Sequence, residues 1–185
     1  MDKVITVADI RGWQPCYDPI KHLPENWTGT AVDILQMDNV PIFERLWAVL
    51  REEVIDLKTI RLFAVWCVRR CQHLLTDPRS ITAIDVSERY ANGLTTLDEL
   101  DAACGDAVNA AIDVKNAHPR PRNHYTEAVR DLINAAKAAS WVASNCESDL
   151  YECVLCAASA TKLKSEEEAI QVKKLIEILR GGTNE

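Results

Sequence analysis

The sequence predicts an all-α fold, a single-domain bundle of about seven or eight helices covering residues 1–185. Three observations carry this. Only six glycines and seven prolines interrupt a chain that is 48% hydrophobic, which argues against disorder and turn-rich β-sandwiches. Apolar residues recur at spacings of three and four, not in alternation. Cap residues stand between those segments where helices should start and stop.

Residues 1–30 are the exception. Pro15, Pro19, Pro24, Gly12 and Gly29 alternate with Trp13, Tyr17 and Trp27, a spacing that resists regular structure while supplying large apolar groups. An irregular arm packed on the helices is expected there.

A short helix should follow from Thr30 to about Gln36. Pro41 opens another in PIFERLWAVLREEV, with Phe43, Leu46, Trp47 and Leu50 on one side. The third runs from about Lys58 to Leu75. At roughly 100° per residue, its Ile60, Phe63, Ala64, Cys67, Val68, Cys71, Leu74 and Leu75 fall within an arc of roughly 140°, the width of a core-facing stripe. His73 points well away from the two cysteines, along a second stripe of Leu62, Trp66 and Arg69. One helix therefore cannot gather both thiols and the imidazole around an ion.

Thr76 or Asp77 caps the next helix, with Pro78 at its first position and Gly93 closing it. Thr96 and Glu99 form a capping box for a helix reaching about Asn116 through Ala103, Ala107, Ala110, Ala111 and Val114. The run PRPRN at 119–123 breaks it. From Tyr125 to about Asn145, Val129, Leu132, Ile133, Ala136, Ala139 and Ala143 line one face, and so many alanines imply a close neighbouring backbone. A further helix spans about Ser148 to Thr161. Ser165 with Glu168 matches another capping box, ahead of Val172, Leu175, Ile176 and Leu179, and Gly181 with Gly182 ends the last helix.

The net charge is −7 with no Lys/Arg block, which disfavours direct nucleic-acid binding. The first residues lack an apolar stretch after a basic start, and the cysteine count of seven is odd, so a reduced, cytoplasmic setting is expected. No apolar run approaches membrane-spanning length. Neither phosphate-binding glycine pattern occurs, and His22, His73, His118 and His124 supply no H-E-x-x-H. No cofactor and no metal are expected. Cys153-x-x-Cys156 has a zinc-like spacing, but no second pair stands at a matching interval.

The segments GWQPCYDP (12–19), HLPENWTGTAVDIL (22–35), ERLWAVLREEVID (44–56) and RLFAVWCVRRCQHLLTDPRSITAIDVSERYANGLTTLDELDAA (61–103) resemble small helical proteins of bacteriophages and some bacteria, named immunity proteins by their likeness to a bacterial toxin-immunity family. The resemblance covers residues 12–103. It implies an α fold, a phage or bacterial source, residence in the host cytoplasm, and an accessory or inhibitor role. It transfers no catalytic residues.

Without a recognisable catalytic constellation, the first expectation is a module that binds another protein, from the host or a toxin. The alternative is a small anionic ligand of nucleotide type, gripped by Arg61, Arg69, Arg70 or Arg79 with Trp66. Trp66, Arg69 and His73 form the most distinctive stripe, because tryptophan is uncommon on a plain solvent face. Packing is the competing explanation, with Trp66 under the arm and Arg69 or Arg70 paired to Glu52, Glu53 or Asp56. Trp13, Tyr17 and Asp18, with Trp27, are a second candidate recognition segment. Homo-oligomerisation through alanine-rich faces is also open.

Overall fold

A computed structural model describes residues 3–15, 18–118, 126–161 and 164–181. Among the described residues are nine α-helices and one two-stranded antiparallel sheet, in which Ile5 pairs with Gly29 and Thr6 with Thr28. The chain is all-α in class.

The stretch expected to be an irregular arm contains regular elements. Strand β1 (Ile5–Thr6) leads into α1 (Val7–Gly12), a 3-10 turn covers Pro19–Lys21, and β2 (Thr28–Gly29) returns along β1. Thr6 and Asp9 form a reciprocal capping box that starts α1. A box closed by aspartate on a six-residue helix leaves too little periodicity to read from sequence. Ile5, Val7, Ile10 and Leu23 are buried in the main core. The ring of Trp27 lies so close over Gly29 that a β-carbon there would fall 2.5 Å from it, which explains glycine at that position.

Helix α2 (Ala31–Leu35) starts at Thr30 in a second box with Asp33. Helix α3 (Ile42–Val49) ends earlier than its apolar pattern suggests, because Leu50 leaves helical geometry at ψ 66°. Helix α4 (Leu57–Cys71) begins at an Asp56 cap and tightens into a 3-10 turn over Gln72–Leu74, so it does not run unbroken to Leu75. Helix α5 (Pro78–Ala91) has Asp77 as cap and Pro78 at its start, as expected. Gly93 adopts a φ of 70° at its end.

Helix α6 (Leu97–Ala117) starts from the Thr96–Glu99 box, and α7 (Glu127–Val142) and α8 (Glu147–Ser159) follow. Helix α9 (Lys164–Leu179) is already helical at Lys164. Ser165 therefore lies inside the first turn and does not cap it. The expected break at 119–123 lies outside the described residues.

Helix α4 sits at the centre, against α5, α7 and α8. Its Ile60, Phe63, Ala64, Val65, Cys67, Val68 and Cys71 are buried. They join a large apolar cluster that also takes Leu46 and Val49 of α3, Leu150 and Val154 of α8, and Leu175 of α9. Ala135, Ala136, Ala138 and Ala139 of α7 have essentially no exposed surface, and α7 packs closely along α8, as the alanine run implied. Helix α6 lies at an edge, against α5 and α7, where a smaller cluster joins Ala83, Leu100, Ala103, Ala107 and Ala143. Among the described residues no helix is long and apolar enough to cross a membrane.

Candidate functional site

Cys67 and Cys71 point into the core, with 1% and 0% exposure, whereas His73 stands exposed on the 3-10 turn. Burial pushes the Cys71 thiol up to about 12 and holds Cys67 and Cys153 well above the ordinary thiol range. Cys153 of α8 lies near enough to Cys67, Cys71 and Cys156 that each further disfavours its ionisation. This convergence of α4 and α8 thiols was not visible in sequence, because 82 positions separate Cys71 from Cys153. Even so, no group of three or more His, Cys, Asp or Glu among the described residues is arranged to hold a metal ion. The helix behaves as scaffold at this level.

The arginines expected to grip an anion are all engaged within the chain. Arg61 is 1% exposed. Its Nη1 donates to the carbonyls of Val142 at 3.1 Å and Ser144 at 2.8 Å, and its guanidinium lies 5.2 Å from the Tyr90 ring centre. It thus serves the carbonyl end of α7, helped by Ser87 Oγ, which donates to the same Val142 oxygen at 2.6 Å. Arg69 reaches Asp85 at 3.0 Å and also Glu88, both on α5. Arg70 pairs with Glu167 of α9 through two bonds. Arg79 bonds Asp77 at 2.7 Å and Asp113 of α6 at 2.6 Å, and that bond from Arg79 holds Asp77 below the usual carboxylate range. None of these acids is Glu52, Glu53 or Asp56, the neighbours in sequence.

Trp66 is half-buried on the α9 side of α4. It stacks on Phe63 at 6.2 Å, and the cations of Arg70 and Lys174 lie 5.1 and 5.9 Å from its ring centre. The cations over its ring come from α4 itself and from α9. The stripe of Trp66, Arg69 and His73 is therefore partly open: His73 is exposed, Arg69 is exposed but paired, and Trp66 is roofed by cations.

In the N-terminal segment, Trp13 is half-buried and Arg51 lies between two rings, 4.9 Å from Trp13 and 4.1 Å from Trp47. Asp18 is exposed, caps the turn at Ile20 N and lies 3.5 Å from Arg11. Tyr17 lies outside the described residues.

Two further features were not singled out from the sequence. The first is the outer face of α6, where Leu97, Val108 and Ile112 are 41%, 40% and 48% exposed, with Leu94 at 67% just before the helix. At about 100° per residue, Leu97, Asp101, Val108 and Ile112 share an arc of about 60°, opposite the buried Leu100, Ala103, Ala107 and Ala110. The signal was present, since these apolar residues fall off the alanine line. The second is a groove of about 510 Å³ between α2, α3 and α9, lined by Leu35, Ile42, Arg45, Val172, Lys173 and Ile176. Arg45 donates to the Leu35 carbonyl at 2.8 Å and is largely buried.

A scan against protein-family models finds no match, and neither do searches of curated proteins and of solved structures.

Proposed function

We propose that this protein is an interaction module, a phage-encoded accessory of the immunity or inhibitor type that binds a host or toxin protein in the host cytoplasm. The uncovered face of α6 carries the reading. Large apolar residues at helical spacing, left open on an otherwise well-filled bundle, are characteristic of a docking face. The reading also draws on the chain's resemblance, over residues 12–103, to small phage helical proteins, and on a net charge of −7 that suits a basic partner better than a nucleic acid.

The test is a photo-crosslinking residue placed at Val108, with a second placed at Gln72 as a control. In lysate of a susceptible host, the Val108 probe should capture one protein in stoichiometric amount and the control should not. Capture of nothing, or the same mixture at both positions, overturns the reading.

A second reading, a small anionic ligand, is favoured by the groove beside Arg45 and Lys173, where Lys173 and the largely buried Arg45, itself 4.0 Å from Asp38, border an apolar wall. A thermal-shift panel of nucleotides, run alongside Lys173→Glu, tests it. No shift with any member removes it.

A further inference from the structure

We infer that the partner element seated on the outer face of α6 is a basic amphipathic helix. This rests on the interaction-module reading and specifies its chemistry. Helix α6 packs on α5 and α7, and its remaining side is open to solvent among the described residues. From Leu97 to Ile112 the open stripe is about 22 Å long, at about 1.5 Å per residue. A partner helix of about four turns covers it. Its apolar side chains would meet Leu97, Val108 and Ile112, spaced at i, i+11 and i+15.

Charge decides the occupant. Elsewhere on the surface Arg69, Arg70 and Arg79 each meet a carboxylate. On α6, Asp98 and Asp101 share the open face, and neither meets a cation among the described residues. Lys115, the single basic residue of the helix, lies in line with Leu97 at the far end of the stripe. Two copies laid face to face would set four carboxylates against two lysines and leave the seam acidic. A membrane surface, being anionic, would repel the carboxylates as well. A helix with leucine-type residues on one side and lysine or arginine beside them satisfies both the stripe and its charges.

The experiment measures binding of two labelled helical peptides to the full chain by fluorescence anisotropy, one of leucine and lysine, the other of leucine and glutamate in the same pattern. The lysine peptide should bind at about micromolar Kd, weaken at high ionic strength, and bind roughly tenfold less well to Val108→Lys/Ile112→Lys. Asp98→Asn/Asp101→Asn should lose most of the salt dependence while keeping its fold. These positions are exposed, and circular-dichroism melting confirms that each variant is folded.

Equal binding of the two peptides, or unchanged affinity in the lysine double variant, overturns the inference. So does sedimentation showing a dimer that Val108→Lys dissolves, which assigns the face to a second copy. A crosslinked partner whose contacting segment is not a basic helix sinks this inference alone. Absence of any crosslinked partner sinks the reading beneath it.

Discussion

The Arg70 guanidinium on α4 and the Glu167 carboxylate on α9 join through two parallel bonds across 97 positions of sequence, Nη2 donating to Oε2 at 2.8 Å. The carboxylate side chain is 8% exposed and the guanidinium 35%, so the acid depends on the base far more than the reverse. Two-point geometry also seats Arg70 over Trp66. One pair thereby ties α9 to α4 at the centre of the bundle and places a cation over Trp66.

Arg70→Met should therefore lower stability by about 2 kcal/mol, because it leaves a buried carboxylate without its donor. Adding Glu167→Met should recover part of that loss. Urea unfolding of both single variants and the double variant measures the coupling. Additive single effects would show that the pair is not coupled.

Arg61→Met should cost about 3 kcal/mol, since the carbonyls of Val142 and Ser144 lose a shared donor inside the core. Arg61→Lys should recover only part of this, because both bonds come from the one nitrogen Nη1, which an ammonium can replace, whereas the guanidinium's contact with the Tyr90 ring is lost. Thermal unfolding followed at 222 nm checks the order wild type, Lys, Met. A lysine variant as stable as wild type would refute this role.

Thiol labelling should divide the cysteines by position. Cys146 is exposed and should react with a maleimide in the native protein. Cys67, Cys71 and Cys153 are buried, with their ionisation suppressed by burial, so they should react only after denaturation. Peptide mass spectrometry after a brief pulse gives the answer. Native labelling of Cys67 would contradict the core assignment.

Acid should destabilise the fold at its helix starts. Asp9 is held below the ordinary carboxylate range chiefly by its bond from the Thr6 hydroxyl, Asp33 by the Thr30 amide, and Glu99 by the Thr95 hydroxyl. Each folded value lies below its unfolded one, so the stabilisation is complete above about pH 4.5 and disappears as pH falls through the folded values. The urea midpoint should be flat from about pH 6 to pH 5 and then drop. Thr30→Ala should lower the plateau by about 1 kcal/mol and flatten the slope. A midpoint that rises on acidification would refute the assignment.

The inward direction of Cys67 and Cys71 could be read from sequence because the stripe repeats over many turns and helical geometry leaves one solution. Asp77–Pro78 and Thr96–Glu99 were equally legible, since capping is local chemistry. Arg61 and Glu167 were not. A charged side chain looks solvated until the fold supplies its partner, and those partners come from α7 and α4, far along the chain. The α6 face was hidden differently: its alanines drew attention to the packed side, while Val108 and Ile112 looked like ordinary helix residues.

Arg61 and Val142 are 81 positions apart, which constrains how the molecule reaches its native state. No local helix formation provides that guanidinium with its acceptors, and a long loop must close before the bond returns any enthalpy. Assembly should thus be concerted, with α4 settling only once α7 arrives. A nascent chain emerging from the ribosome would hold an unanswered cation at its future centre until position 144 has been made.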